Sequence, residues 1–394
     1  MATTDKRLDI SELDFDDIKT NLKTFLRNQT EFTDYDFEGS GMSSLLDLLS
    51  YNTHYLSMNA NLLANEMFID TASLRSSVVS HAKTLGYTPR SVRAPQATVD
   101  ITLNDTSVTT ATLARGTKFS TVVNDVTYNF LVNTARTKSR VDNVLTFDNV
   151  VLYEGSLITT RYTADSTNVD QRFIIPDSNA DTTTLTVSVQ NSSTDTTTTV
   201  FTLATDISQV SDTSNSYFLQ EIENGQFEVY FGDGVIGKAL TDNNIVILEY
   251  IVTNKSASNG ASTFTPPGSI SGSSDNSVAT VSTASGGAEA ENIQSIKLNA
   301  PLDYASQGRA VTTNDFKVIV PTLFANTQSV SVWGGEDNDP ASYGKVFISV
   351  KTTTGSDLTS TQKRNLESSL KSYVVSSIRP VSYTHLTLPT SRSV

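Results

Sequence analysis

The sequence predicts an α+β multidomain protein: N-terminal helices, a β-rich middle region and a small C-terminal α/β domain that is cut short. Three observations lead there. Apolar residues recur at spacings of three and four up to about residue 88. After Pro95 the period falls to two, in short runs bounded by Asn, Asp, Gly and Thr. Hydrophobic residues make up 37% and charged residues 18% of the 394 residues. The remaining share of small polar residues suits turn-rich β folds.

Residues 1–94 form the helical region. Phe15, Ile18, Leu22 and Phe25, with Leu26, make one amphipathic stripe, and these four are the candidate association interface. The turn sequence DYDFEGSG (34–41) ends that helix. In the next, Leu45, Leu48, Leu49, Tyr55, Leu56, Leu62 and Leu63 keep helical spacing but occupy more than one face. Such a helix needs cover on several sides, from its own chain or from a partner. A third helix runs from about Ser73 through Leu74, Val78, Ala82 and Leu85, with Gly86 placed as its C-terminal cap.

Residues 95–255 read as all-β, with strands over 97–103, 117–123, 126–132, 171–176, 184–190 and 227–234 and an insertion over 140–225. The Thr-rich TDTTTTVFTLAT fits strand and hairpin. Residues 256–288 turn rich in Ser, Gly, Pro and Asn, an extended connector holding one strand, VATVSTA. They open a segment over 256–325. It carries a helix (288–301) ended by Pro301 and a second (312–324) capped by Thr313 and stopped by Pro321. Residues 326–380 read as strand, strand and helix with no closing strand, a domain cut short. Residues 381–394 (VSYTHLTLPTSRSV) break the pattern and resemble a translated sequencing adapter. They are expected to be foreign to the natural chain, which would continue past Pro380.

The net charge of −14, from 28 basic and 42 acidic residues, repels phosphate and argues against a nucleic-acid partner. No cysteine is present, which excludes disulfides, zinc ribbons and thiol chemistry. No apolar run reaches the roughly 18 residues of a membrane span, and the first residues lack a signal-peptide pattern, so no membrane partner is expected. Gly232, Asp233, Gly234 and Gly237 match G-x-G-x-x-G. A dinucleotide site would need a helix after the motif, and a turn and a strand follow instead. The motif reads as a structural turn with glycines at positive φ and Asp233 bonding nearby amides. Glu336, Asp337 and Asp339 read as a solvated loop, His54 and His81 as ordinary helix positions, and Glu289 and Glu291 as charges favouring a helix start. No catalytic, cofactor-binding or metal-binding residue is assigned, and no cofactor is expected.

Three segments resemble a known family. They are DFEGSGMSSLLDLLSYNTHYLSMNANLLANEMFIDTASLRSSVVSHAKTLGYTPRS (36–91), EVYFGDGVIGKAL with IVILEYIVT (228–253), and SGGAEAENIQSIKLNAPLDYASQGRAVTTNDFKVIV (285–320). The last holds Gly286-Gly287, Glu289, Glu291, Ala300-Pro301, Arg309 to Thr312 and Asp315-Phe316. In this order they resemble the baseplate J-like family, in particular the large baseplate wedge subunits of T-even-type myophages and cyanophages. The resemblance implies a structural, non-enzymatic role in the inner baseplate of a contractile tail. It also implies association with other baseplate wedge proteins and with itself, and relay of the contraction signal to the sheath. The expected location is the virion tail baseplate, assembled in the host cytoplasm. The alternative is a carbohydrate-binding or depolymerising tail protein, which the single Trp333 disfavours because sugar platforms often use Trp.

Overall fold

The structure, a computed structural model, describes residues 14–383 apart from 30, 32–38, 106, 142–144, 169, 205–209, 223–224, 325–326, 339, 353–357, 359 and 375–378. It divides into two units, Met1–Leu85 with Ile293–Lys297, and Gly86–Asn292 with Leu298–Val394.

The first unit is helical: α1 (Phe15–Arg27), α2 (Gly41–Glu66) and α3 (Arg75–Thr84). The first two starts are capped by side chains. Asp14 Oδ1 accepts the amides of Asp16 and Asp17, and Ser40 Oγ that of Ser43. Leu74 cannot cap α3. Glu66, at the end of α2, instead fixes the approach to α3 by accepting from the amides of Ser73 and Leu74 and from Ser73 Oγ. Partial burial works to raise the Glu66 carboxyl, but these donors outweigh it and hold it below the usual carboxylate range.

The second unit holds three cores. The first lies on a five-stranded sheet. Its strands include β1 (Gln96–Leu103), β3 (Lys118–Val123), β4 (Val126–Val132) and β6 (Leu145–Glu154), while β2 (Thr110–Leu113) pairs separately with β5 (Arg136–Ser139). Burial alternates strictly along β1, so Ala97, Val99, Ile101 and Leu103 face Phe119, Phe130 and Phe147. The second core sits on β7 (Ser156–Thr163), β8 (Phe173–Ile175), β9 (Ala180–Gln190), β10 (Thr198–Leu203), β11 (Ser216–Glu221), β12 (Phe227–Phe231) and β13 (Ile245–Val252). Their order is β7-β13-β9-β10-β11-β12-β8. The two edges meet: Tyr162 Oη on β7 donates to Ile174 O on β8 (2.6 Å), and its ring lies 5.7 Å from that of Phe173. The sheet thus curls into a barrel around Phe173, Phe201 and Phe231.

The insertion therefore runs over 156–252, not 140–225. The first sheet takes its last strand, β14 (Asn276–Ser285), from beyond it, paired antiparallel to β1 at the sheet edge. The segment expected to be a connector is a wall of the first core. Ala261, Phe264 and Ile270 are buried there, with Phe264 edge-on to Phe130 at 5.0 Å. Its Ser and Gly content reflects turns between anchored residues, not an open tether.

Next come α4 (Ile293–Ser306) and α5 (Thr313–Leu323), then β15 (Thr327–Gly334), β16 (Lys345–Thr352), α6 (Ser360–Leu370) and β17 (Arg379–Tyr383). Four expectations need correction. The α4 helix starts at Ile293 and runs through Pro301 to Ser306. A proline there removes one helical hydrogen bond, and the turn before it keeps Ile296 and Ala300 fully buried. Pro321 likewise lies inside α5, flanked by buried Val318, Ile319 and Val320. The cap of α5 is Thr312, not Thr313. Asp315 Oδ2 accepts the Thr312 amide at 2.7 Å, and Thr312 Oγ1 accepts that of Asp315, a capping box. Finally, the missing closing strand is present. β17 pairs parallel to β16, from Lys345↔Arg379 to Ser349↔Tyr383, in the order β15-β16-β17. The boundary expected at 381 falls inside this strand, and the rest of that tail lies outside the described residues. Phe316, Ile348, Leu366 and Leu370 make the third core.

Buried carboxylates join these parts. Glu291, expected to favour a helix start, is buried. Its Oε2 accepts from Tyr87 Oη (2.8 Å) and the Arg90 amide (3.1 Å), and its Oε1 from Asn299 Nδ2 (2.7 Å). Burial first, and then the charge of Glu291, push the Tyr87 phenol upward, so it stays a donor. Nearby, buried Asp181 on β9 accepts the Ala94 amide (2.9 Å) and lies 3.7 Å from the Arg93 guanidinium. Glu291→Ala would strand Tyr87 and the Arg90 amide without an acceptor. It should cost about 3 kcal/mol, read as a lower midpoint in urea denaturation, while Arg27→Ala on exposed α1 changes little.

Candidate assembly surface

The helical unit departs most from ordinary burial. On α1 the expected stripe divides: Ile18 is buried, Phe15 and Leu22 are half-buried, and Phe25 is exposed. Lys19 Nζ reaches Asp47 Oδ1 at 2.6 Å, tying α1 to α2. Most of the stripe thus serves packing inside this unit, and of the four named residues only Phe25 is offered to solvent.

The larger apolar surface belongs to α2. Its covered face runs Ser43, Leu46, Ser50, His54, Ser57 and Asn61, at spacings of three and four. That face is mostly small and polar. The uncovered faces carry the hydrocarbon: Leu45, Leu48, Leu49, Leu56, Met58 and Leu63 stand 53–69% exposed. Near the middle, Tyr51 and Tyr55 meet edge to face at 4.6 Å, their hydroxyls 3.1 Å apart. The helix is inside out. Ordinary soluble helices point leucine inward, and a contiguous apolar surface on this scale marks a protein interface. The sequence did show leucine on more than one face, but not which face its own unit would leave bare.

The glycine turn lies elsewhere, after β12. Asp233 Oδ1 accepts the amides of Val235 (2.9 Å) and Ile236 (3.0 Å), and these backbone bonds hold its carboxyl below the usual range. Gly234 and Gly237 take φ of +87° and +84°. Gly232 is needed for a different reason: a Cβ there would lie 2.2 Å from Ile236 O. No helix follows. The chain crosses to β13, four places along the strand order from β12, so the turn is no hairpin and offers no helix start for a phosphate. Trp333 is also committed internally, stacked on Phe347 at 5.9 Å with Nε1 donating to Asn338 Oδ1 at 3.0 Å. Among the described residues, no group of three or more His, Cys, Asp or Glu is placed to hold a metal. In the acidic loop, Asp339 lies outside the described residues. No described helix is long and apolar enough to cross a membrane.

Helix unit and C-terminal domain each correspond to a known domain of phage tail proteins. Residues 14–87 match the helical domain of the gp6-like baseplate wedge proteins, and residues 312–382 match C-terminal domain I of the baseplate structural protein gp6. Both matches, in this order along one chain, are to domains of gp6-type baseplate proteins. The chain is similar to the baseplate wedge protein gp6 of Enterobacteria phage T4, 30% identical over 393 aligned residues that cover 93% of this chain. The chain spans 58% of that relative's length. A chain in the baseplate of the anti-feeding prophage aligns over 96% of this chain and 80% of its own, at 11% identity and a TM-score of 0.32, too remote a likeness to define the fold.

Two substitutions separate surface from scaffold. Leu48→Ser with Leu56→Ser should leave the thermal midpoint within a few degrees of the parent, because neither side chain is packed. Gly232→Ala should lower it, since its methyl meets backbone that cannot move aside, at a stability cost of about 1–3 kcal/mol. Both are read by circular-dichroism melting.

Proposed function

We propose that this chain is a structural subunit of the baseplate wedge of a contractile phage tail. It assembles the inner baseplate and takes part in relaying the contraction signal to the sheath. Its partners are other baseplate wedge proteins and further copies of itself. Its place is the virion tail baseplate, assembled in the host cytoplasm, and its role is mechanical, not enzymatic. The finer baseplate J-like reading rests on Gly286-Gly287 and the Arg309 to Phe316 pattern. Backbone chemistry supports giving these motifs structural roles. A Cβ on Gly287 would lie 2.4 Å from Lys255 O, and Asp315 serves the capping box.

The observation that carries the reading is the outward apolar surface of α2. Burying one leucine side chain is worth about 1.5–3 kcal/mol, so covering several of them supplies the drive for stable association. The negative charge of −14 limits self-adhesion before a specific partner arrives. Co-expression with the neighbouring tail genes, followed by size-exclusion chromatography with light scattering, tests it. The expected result is a stoichiometric complex that the Leu48→Ser, Leu56→Ser chain fails to join. A chain that elutes alone beside every tail protein would sink the reading.

A further inference from the structure

The barrel has an open mouth beside the glycine turn. A cavity of about 190 Å³ lies there. Half-buried Phe231 on β12 forms its apolar lining with Ala164, Ala239 and Leu240, over the buried ring of Phe173 on β8. Asp165, Asn168, Gln171 and Asp233 line it with polar groups, and none of its lining residues is basic. Both carboxylates are anchored by one oxygen. Asp165 Oδ1 takes the Thr167 amide (2.9 Å) and hydroxyl (2.6 Å), and Asp233 Oδ1 takes the Val235 and Ile236 amides. These bonds engage Oδ1 of each. On the same rigid turn, Val235 is 74% exposed and Ile236 is 42% exposed.

From this arrangement we infer that the barrel mouth is a socket for one basic side chain, arginine or lysine, presented by a partner protein. Three features select that ligand. The phenyl rings suit an aliphatic stem, and a cation is favoured next to both aromatic faces and carboxylates. Two carboxylates beside phenyl rings make a poor set for a bare metal ion, which wants several oxygen ligands. The apolar tip of Val235 and Ile236 offers surface that a protein would cover and a free small cation would not. Hydrogen bonds from Thr167 first at Asp165, and from the Ile236 and Val235 amides at Asp233, hold both carboxyls below their ordinary range, so the socket is anionic at neutral pH. The glycines acquire a use here: they bend the chain so that Asp233 faces the mouth on a turn braced by its own backbone.

The identity of the partner as an assembly protein rests on the wedge reading, but the socket is testable without it. Saturation-transfer NMR on the whole chain would use capped arginine, capped lysine, capped citrulline and glucose as probes. Capped arginine and lysine should respond through their side-chain methylenes, while citrulline, which keeps the shape of arginine without the charge, should not. Asp165→Asn with Asp233→Asn retains the turn acceptors and removes the charges, and should weaken arginine binding about tenfold. If that variant melts early, the parent decides alone: added salt must weaken the arginine response. Equal responses to arginine and citrulline, an undiminished response in a folded variant, no response to either cation, or a response to glucose alone would each overturn the socket. A silent socket beside an intact co-expressed complex would sink this inference and leave the wedge reading standing.

Discussion

One buried carboxylate holds the place where two β layers are spliced. At Glu154 the chain leaves the first sheet, and at Thr253 it returns from the barrel. Glu154 is fully buried. Its Oε2 accepts from Thr253 Oγ1 (2.7 Å) and the Asn254 amide (2.9 Å), and its Oε1 from Asn254 Nδ2 (2.7 Å). The next residue, Gly155, has φ of +131°, and a Cβ there would fall 2.2 Å from Val252 O. Exit and return are thus pinned against each other. The barrel between them can form as a closed excursion because its ends are fixed, which removes the cost of searching for that closure. Arg115, from the first sheet, adds a second tie at Glu249 on β13 (3.1 Å) and Thr184 O on β9 (2.9 Å).

Around that splice, three carboxylates withdrawn from water are bonded to backbone and to other side chains. Glu291, Asp181 and Glu154 each accept from at least one amide, and each lies where separate parts of the unit meet. Such contacts are directional, so they fix orientation where apolar packing alone would tolerate sliding.

The helical unit is built the opposite way. Its longest helix buries serines and shows leucines. Within one chain that arrangement forgoes burial. Within a complex it stores the driving force for association on the outside, while the β-rich unit keeps its apolar mass within three cores. Rigidity and adhesion are thereby divided between the two units.

The sequence by itself determined the classes of structure and their order. Its change of period at Pro95 separated helices from strands, the Gly232 to Gly237 turn lacked its helix, and the three quoted motifs carried a resemblance to baseplate wedge subunits. It lost β6, because Asp148-Asn149 interrupts the alternation where the strand bulges and Asn149 takes φ of +52°. It lost β7, whose residues are largely exposed on both faces, and β17, which is short and begins Arg-Pro. Periodicity sees a strand only when one side is buried and the other is not. Only the tertiary structure decided where the insertion begins, that 256–288 walls a core, that β7 meets β8, and which face of α2 is bare. Those outcomes depend on partners distant in sequence, and a local pattern carries no record of which distant surface will cover it.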